Sequence, residues 1–354
     1  MKTLLAGLIG AALLLAVHPA VAGAAKPSAD RIQSFDGAGG WINSPPLTLD
    51  DLRGKVVLVD VWEYTCINCL RTLPYLREWY RRYHDHGFVI VGVHTPEFDF
   101  THDPKNVESA VRRLGVVWPV ALDNRMAIWN RYENTVWPHE YLFDRSGRLV
   151  ESVLGEGAYQ QTEAKIQALL KAGDPSLRLP AVMPLLPQDS YDKPGAVCYP
   201  QTAEMLIGHG VVRNLRGSPG QASNFSYDSS APQDGAVELQ GYWRVTPQAA
   251  VSDESDGHLR LRYHAIQLMA VLRPEEGRSV RVDVLQDGRP IAAGDAGADV
   301  RYDSAHRSYV LVDQPRAYDL VMNARFGNHT LELAPTGAGV GVYDFAFESC
   351  EIPK

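Results

Sequence analysis

Cys66 and Cys69 stand three apart in Cys66-Ile67-Asn68-Cys69, a few residues after the apolar run Val56–Trp62. A buried strand that ends in such a turn sets Cys66 at the first turn of the next helix. There, unpaired N–H groups and the positive end of the helix dipole favour a thiolate. The chemistry this spacing allows is disulfide exchange. Cys66 attacks, and Cys69, one turn further in and more buried, resolves the mixed disulfide. Asp60 interrupts the apolar run, and a carboxyl buried there without a task or a partner is costly. Placed near Cys69 and kept protonatable by burial, it would take the proton that the resolving thiol loses. Pro74, five residues after Cys69, fits only as a kink in the helix.

Other chemistries compete for the pair. A Cys-x-x-Cys is half of a zinc site, but the remaining cysteines, Cys198 and Cys350, lie far downstream and far apart, so a second half at ligand spacing is missing. A purely structural bridge between Cys66 and Cys69 would close so short a loop that it constrains little chain entropy. Asp60 alone would read as a core acid; its position relative to both cysteines makes it a candidate catalytic group.

Asp60, Trp62, Cys66, Cys69 and Pro74 fall where thioredoxins carry their buried acid, aromatic, two cysteines and kink proline. The longer run from Trp62 to Leu76 resembles the thioredoxin-like domain of DipZ-type cytochrome c biogenesis proteins, periplasmic members of the thioredoxin family related to the redoxin and TlpA types. The resemblance covers about 47–172 and continues more weakly through the C-terminal half. One departure is Tyr64-Thr65 where a Trp usually precedes the first cysteine. It touches surface recognition rather than thiol chemistry.

The elements that must position these residues alternate between strand and helix. A Gly54-Lys55 turn leads into the strand Val56–Trp62, and the kinked helix carries Leu70, Leu73, Leu76, Trp79 and Tyr83 on its apolar face. Phe88–Val93 reads as a central parallel strand. Asp103-Pro104 opens a helix with an N-cap and a proline at its first position, and Gly115 ends it. Such alternation implies a sheet covered on both faces. Trp137-Pro138 precedes a strand that turns at 144–147 and returns over 148–154. The resemblance implies a cis proline at Pro138 facing the dithiol, with Trp137 and Pro138 docking an extended substrate, core packing being the alternative for the Trp137 ring. His139 reads as an ordinary strand histidine rather than a copper ligand, and His84, His86, His94 and His102 read as surface or loop residues. The insert between Val93 and Trp137 resembles that of periplasmic reductases and peroxiredoxins, which brings in a thiol peroxidase as an alternative.

At the N-terminus, Lys2, the apolar stretch Leu4–Val17 and Ala20-Val21-Ala22 read as a signal peptide over 1–22, with the mature chain starting near Gly23; an uncleaved anchor is the alternative. The 354 residues are 45% hydrophobic and carry a formal charge of −8. That is enough for about two cores, and no basic block suggests nucleic acid.

The expected organisation is α/β plus all-β: a thioredoxin-like fold over 33–172, a proline-rich linker over 173–197 and a jelly-roll β-sandwich over 198–354. In the last part Val280, Val282 and Val284 alternate with polar residues before Asp287-Gly288, and 340–347 makes a closing strand. Its segment order resembles the carbohydrate-binding-module-like domain that follows thioredoxin in DipZ-type proteins. Cys198 and Cys350 stand at its two ends and read as a structural disulfide, with free thiols as the alternative. Trp243, Tyr242, Tyr263 and Tyr302 are the candidates for stacking on a glycan, although aromatics of a sandwich are more often core. The whole reads as a periplasmic or secreted thiol–disulfide oxidoreductase, more a reductase than an oxidant. It needs neither metal nor organic cofactor, its substrates are protein thiols and disulfides, and by resemblance its electrons come from a membrane donor of the CcdA kind. A non-catalytic binding module using the sandwich is the competing class.

Overall fold

A computed structural model of the chain describes residues 30–352, apart from 188, 190, 191, 209, 216, 229 and 230. The targeting segment read at 1–22 lies outside the described residues.

The first sheet has six strands: β1 (Trp41–Ile42), β2 (Val56–Trp62), β3 (Phe88–His94), β4 (Val120–Leu122), β5 (His139–Phe143) and β6 (Leu149–Leu154), in the order β1-β4-β3-β2-β5-β6. β2, β3 and β4 run parallel, while β5 and β6 are antiparallel additions on one side and β1 on the other. Every residue of β2 is buried because both faces of the strand are covered. Val56, Leu58 and Trp62 point to the side of helices α1 (Ile67–Tyr83) and α4 (Tyr159–Gly173), whereas Val57, Val59 and Val61 face α3 (Ala127–Arg131) and Phe35. α1 buries Cys69, Leu73, Leu76, Trp79 and Tyr83 at helical spacing and contains Pro74. α2 (Pro104–Arg113) starts at Asp103, whose carboxylate accepts from Lys105 N–H at 2.9 Å, and ends at Gly115, which has φ +65°.

The proline-rich stretch after α4 is laid along the first domain. Leu177, Leu179, Leu185 and Leu186 pack on its core, Met183 N–H donates to Glu163 at 2.8 Å, and Leu186 N–H donates to Tyr75 Oη at 2.9 Å.

The second domain is an eleven-stranded antiparallel sheet folded around its own core. Its spine is the strand His258–Pro274. That strand pairs with Val237–Val245 through its first part and with Val340–Glu348 through its second, and keeps Arg316–Pro335 along its other edge. One long strand therefore serves both layers of the sandwich. Asp287 and Gly288 take positive φ in the hairpin turn expected there. Trp243 and Tyr263 are fully buried in the core, so these two rings do not present a stacking face; Tyr242 and Tyr302 are partly exposed.

The two domains share one interface. A register shift between Val271 and Leu272 leaves Tyr343 as the extra residue of its strand, and a bulge of this kind reverses which side chains face outward. Val340 and Val342 before it, and Phe345 and Phe347 after it, join the sandwich core. Tyr343 instead meets Phe98 and Phe100 edge-on, with centroids 5.6 and 4.8 Å away. Arg71 of α1 completes the contact: it pairs with Glu156 at 3.1 Å and Glu348 at 2.7 Å and donates to Gln267 Oε1 at 2.6 Å.

Candidate active site

Cys66 is the N-cap of α1 and partly buried, while Cys69 is completely buried one turn on; neither is bonded to another sulfur. The Cys69 N–H donates to Cys66 Sγ at 3.3 Å, so the attacking sulfur of the expected scheme occupies the place that a Ser or Asp side chain takes in an ordinary N-cap. Burial pushes the Cys69 thiol well up, and the adjacent Cys66 sulfur pushes it further. This is the less acidic, inner partner that the spacing predicts.

Asp60 lies on the α1 side of β2 with no exposed surface and no hydrogen-bond partner on either oxygen. Burial pushes its pKa up to about 7, and its charge is among the influences that raise Cys69. Two residues expected together, Asp60 and Cys69, are therefore within electrostatic reach of each other. The register adds a carboxyl that the sequence reading left out. Glu140 of β5 is the direct partner of Asp60 across the ladder, is also buried, and is raised well above the carboxylate range by burial, then by Asp60 and Glu151. Nothing in a linear pattern shows that positions 60 and 140 are neighbours.

Glu63 was missed as well. It is fully buried, one residue past β2. One carboxylate oxygen accepts from Thr65 N–H at 2.6 Å and from the Thr65 hydroxyl, and the other lies 3.5 Å from His94 Nε2. Its backbone N–H also bonds the Cys69 sulfur. His94 corrects the expectation of a surface or loop histidine: it is the last residue of β3, has no exposed surface, stacks on Tyr64 at 5.5 Å and meets Trp62 edge-on. The parallel pairing of Trp62 with His94 brings it there. Glu63, Thr65 and His94 thus pin the turn that delivers Cys66.

The Trp137-Pro138 bond is cis. Val61 pairs with His139, so Pro138 sits level with Trp62 at the end of the sheet that carries the cysteines. Val136 C=O accepts from the Asn134 side chain and Pro138 C=O accepts from Gly155 N–H, each at 2.9 Å. Among the described residues, neither the N–H nor the C=O of Trp137 is engaged by backbone. Its ring leans on Trp129, 4.4 Å between centroids. His139 is held on both nitrogens, by Asn134 at 2.5 Å and Ser152 at 2.7 Å, and burial lowers its pKa to about 4.

Away from this site, Cys198 and Cys350 pair across a two-stranded ladder and are bonded at 2.00 Å.

Together these features define a thioredoxin-like dithiol domain joined to an antiparallel β-sandwich. Family models agree with both parts: one described as Redoxin matches residues 33–170, and one described as Thioredoxin like C-terminal domain matches 202–347. DipZ of Mycobacterium bovis is 34% identical over 317 residues, covering 88% of this chain and 42% of DipZ. Thiol-disulfide oxidoreductase ResA of Bacillus thuringiensis is 30% identical over 123 residues, 35% of this chain and 68% of ResA. The solved thiol-disulfide isomerase from Corynebacterium glutamicum aligns over 40% of this chain and 97% of its own, at 23% identity and a TM-score of 0.37. The chain belongs to the thioredoxin-like family of thiol–disulfide oxidoreductases and is a homologue of DipZ across most of its length. It spans less than half the length of the DipZ proteins it matches.

Proposed function

We propose that the chain exchanges disulfides with protein substrates outside the cytoplasm, acting as a reductase. The observation that carries this reading is the buried, unpartnered Asp60 in electrostatic reach of the buried Cys69, with Cys66 at the helix mouth. In the reduced protein the Cys66 sulfur attacks one sulfur of a substrate disulfide. The substrate S–S bond breaks, and the leaving sulfur picks up a proton. The Cys69 thiol then gives its proton to the Asp60 carboxylate, and its sulfur attacks Cys66, which releases the second substrate sulfur as a thiol. Two electrons and two protons have passed to the substrate, and Cys66–Cys69 is left as a disulfide. A carboxyl with a pKa near neutrality is suited to this exchange because it both accepts and returns a proton at working pH.

Trp137 supplies the docking edge: its free N–H and C=O can pair with an extended substrate beside Pro138. Cys198–Cys350 is the structural bridge of the second domain. Export rests on the signal-like sequence at 1–22; no helix among the described residues is long and apolar enough to cross a membrane. A donor in the membrane of the CcdA kind would return the pair to its dithiol form.

The test is the reduction potential of Cys66–Cys69, set by equilibrium with defined thiol buffers and read by mass spectrometry after alkylation. A value near −270 mV is expected, and one near −120 mV would make the protein an oxidant instead. A pair that does not cycle with thiols, or a protein that consumes peroxide with thiol turnover, would end the exchange reading.

A further inference from the structure

Asp60 begins a row of acids that crosses the first sheet. On the α1 side of that sheet Asp60 of β2 stands directly opposite Glu140 of β5, and Leu142 of β5 stands opposite Glu151 of β6. Residues opposite one another on a ladder share a face, with Cβ atoms about 5 Å apart, and a diagonal neighbour on that face is still within reach of a long side chain. Glu140 and Leu142 are two apart on one strand, so Glu140 and Glu151 form such a diagonal pair. Packing fixes the face independently: Leu58 and Leu142 join the core under α1 and α4, and Glu151 bonds Lys165 of α4 at 2.5 Å.

Exposure grows along the row. Asp60 has no exposed surface and no hydrogen-bond partner on either oxygen. Glu140 is 3% exposed. The Glu151 side chain is 10% exposed and that of Lys165 44%. One Glu151 oxygen holds the lysine, and the other is buried without a partner. The neighbouring rung on the same face is Leu58 opposite Leu142, so the sheet does not need acids at this depth, and burying them side by side is costly without a task. α1 packs Cys69 against the inner end of the row. α4 brings the Tyr159 hydroxyl, buried without a partner and raised by burial, then by Glu156 and Glu140. Glu163 of α4 is turned to Arg82 and Tyr83, and β3 places Gly92 beside Asp60.

Each turnover leaves the Cys69 proton on Asp60, while the released substrate sulfur takes its own from solvent. A substrate lying over the dithiol covers the front of Asp60, so the proton needs another way out. We infer that Glu140 is that way: it relays the proton from Asp60 to Glu151 and so to solvent beside Lys165, and thereby sets how fast Cys69 resolves the mixed disulfide. The inference rests on the exchange reading above. Glu140 is a positioning residue, working through Asp60. Burial, then Asp60 and Glu151, keep it protonated. It gives this proton to Glu151, which releases it to water, and the Glu140 carboxylate then takes the proton of Asp60. At each transfer one O–H bond breaks and one forms, no electrons move, and the three acids end as they began. When the pair is reduced again, the row carries a proton inward to Cys69.

The experiment uses the full chain, reduced, and a peptide disulfide, with quenched flow separating attack by Cys66 from resolution by Cys69. Glu140→Gln keeps the size of the side chain and removes the proton it can pass; resolution should slow about tenfold while attack keeps the parent rate. Glu140→Asp keeps the acid on a shorter side chain, and resolution should return to within about twofold of the parent. A packing role predicts the reverse order, because Gln fills the space of Glu and Asp leaves a void. Resolution at the parent rate in Glu140→Gln, or slower in Glu140→Asp than in Glu140→Gln, would overturn the inference while leaving disulfide exchange intact. An equal slowing of attack and resolution would overturn it too. If Glu140→Gln does not fold, Glu151→Gln at the exposed end of the row decides: it should slow resolution alone, and no effect there would overturn the relay. A parent protein that forms no mixed disulfide would instead count against the exchange reading itself.

Discussion

The molecule holds two cysteine pairs built in opposite ways. Cys66 and Cys69 are three residues apart, unbonded, on a helix end, and Cys69 is in electrostatic reach of Asp60, a carboxyl that burial has raised. Cys198 and Cys350 are 152 residues apart, bonded, and set across a short ladder where the second domain begins and ends. Loop length separates the two roles. A bridge over three residues removes little freedom from the unfolded chain, so its making and breaking leave the fold in place; a bridge over 152 removes a great deal. Surroundings separate them further: Asp60 beside the first pair is buried without a partner, whereas Glu348, the carboxylate next to Cys350, is held by Arg71 and by the N–H groups of Ser349 and Cys350.

The largest expected difference between the pairs comes from removing their sulfurs. Cys66→Ser should abolish release of substrate thiol, and Cys69→Ser should stop at a mixed disulfide visible as a mass adduct of one substrate. The double change Cys198→Ser with Cys350→Ser should leave exchange rates unchanged while lowering unfolding free energy by about 5 kcal/mol, measured by denaturant titration. A lost exchange rate in that double variant would break the division of roles.

A smaller effect is expected at Asp60. Asp60→Asn should slow resolution of the mixed disulfide about 100-fold, read by quenched flow as accumulation of the adduct. The same variant has a signature in stability. The folded protein holds the Asp60 proton up to about pH 7, whereas the unfolded chain releases it near 3.8. Between those values the folded state binds more protons, so stability falls as pH rises. Asn removes that share of the slope and should gain on the order of a few kcal/mol at pH 8 relative to pH 4. A slope identical to the parent's would mean that Asp60 is not raised.

The smallest effect belongs to the groups that hold the turn. Glu63→Gln keeps an acceptor for Thr65 but puts an amide where the carboxyl faces His94, and should change kcat/KM about threefold. Glu63→Ala, which also frees Thr65, should cost about tenfold. Equal effects of the two would place the role of Glu63 in packing alone.

The site was legible in part. Cys66, Cys69, Asp60 and Pro138 stand near each other in the chain or on adjoining strands whose patterns are plain, and a strand, a cysteine turn and a kinked helix leave few ways to fold. Glu140 and His94 were not legible, because each depends on which strand lies beside which. His94 looked like a loop residue since β3 runs one residue past its apolar stretch, and parallel pairing then carries it beneath Trp62 and Tyr64. The candidate sugar-stacking residues Trp243 and Tyr263 went into the core because the alternation of their strands aims them inward.

What the sequence determined by itself was local: the dithiol at a helix mouth, the acid inside its strand, the capped α2, the hairpin at Asp287-Gly288 and the change from helical to two-residue periodicity. Hydrogen bonding and side-chain direction over a few residues settle such features. Tertiary structure decided the rest. A single extra residue at Tyr343 turned a strand of the second domain toward the first, and Ala346 and Glu348 of that strand, with Glu204 beside them, line a cleft next to residues 67 and 68. Ladder register and domain contact join positions hundreds of residues apart, and no local pattern carries that information.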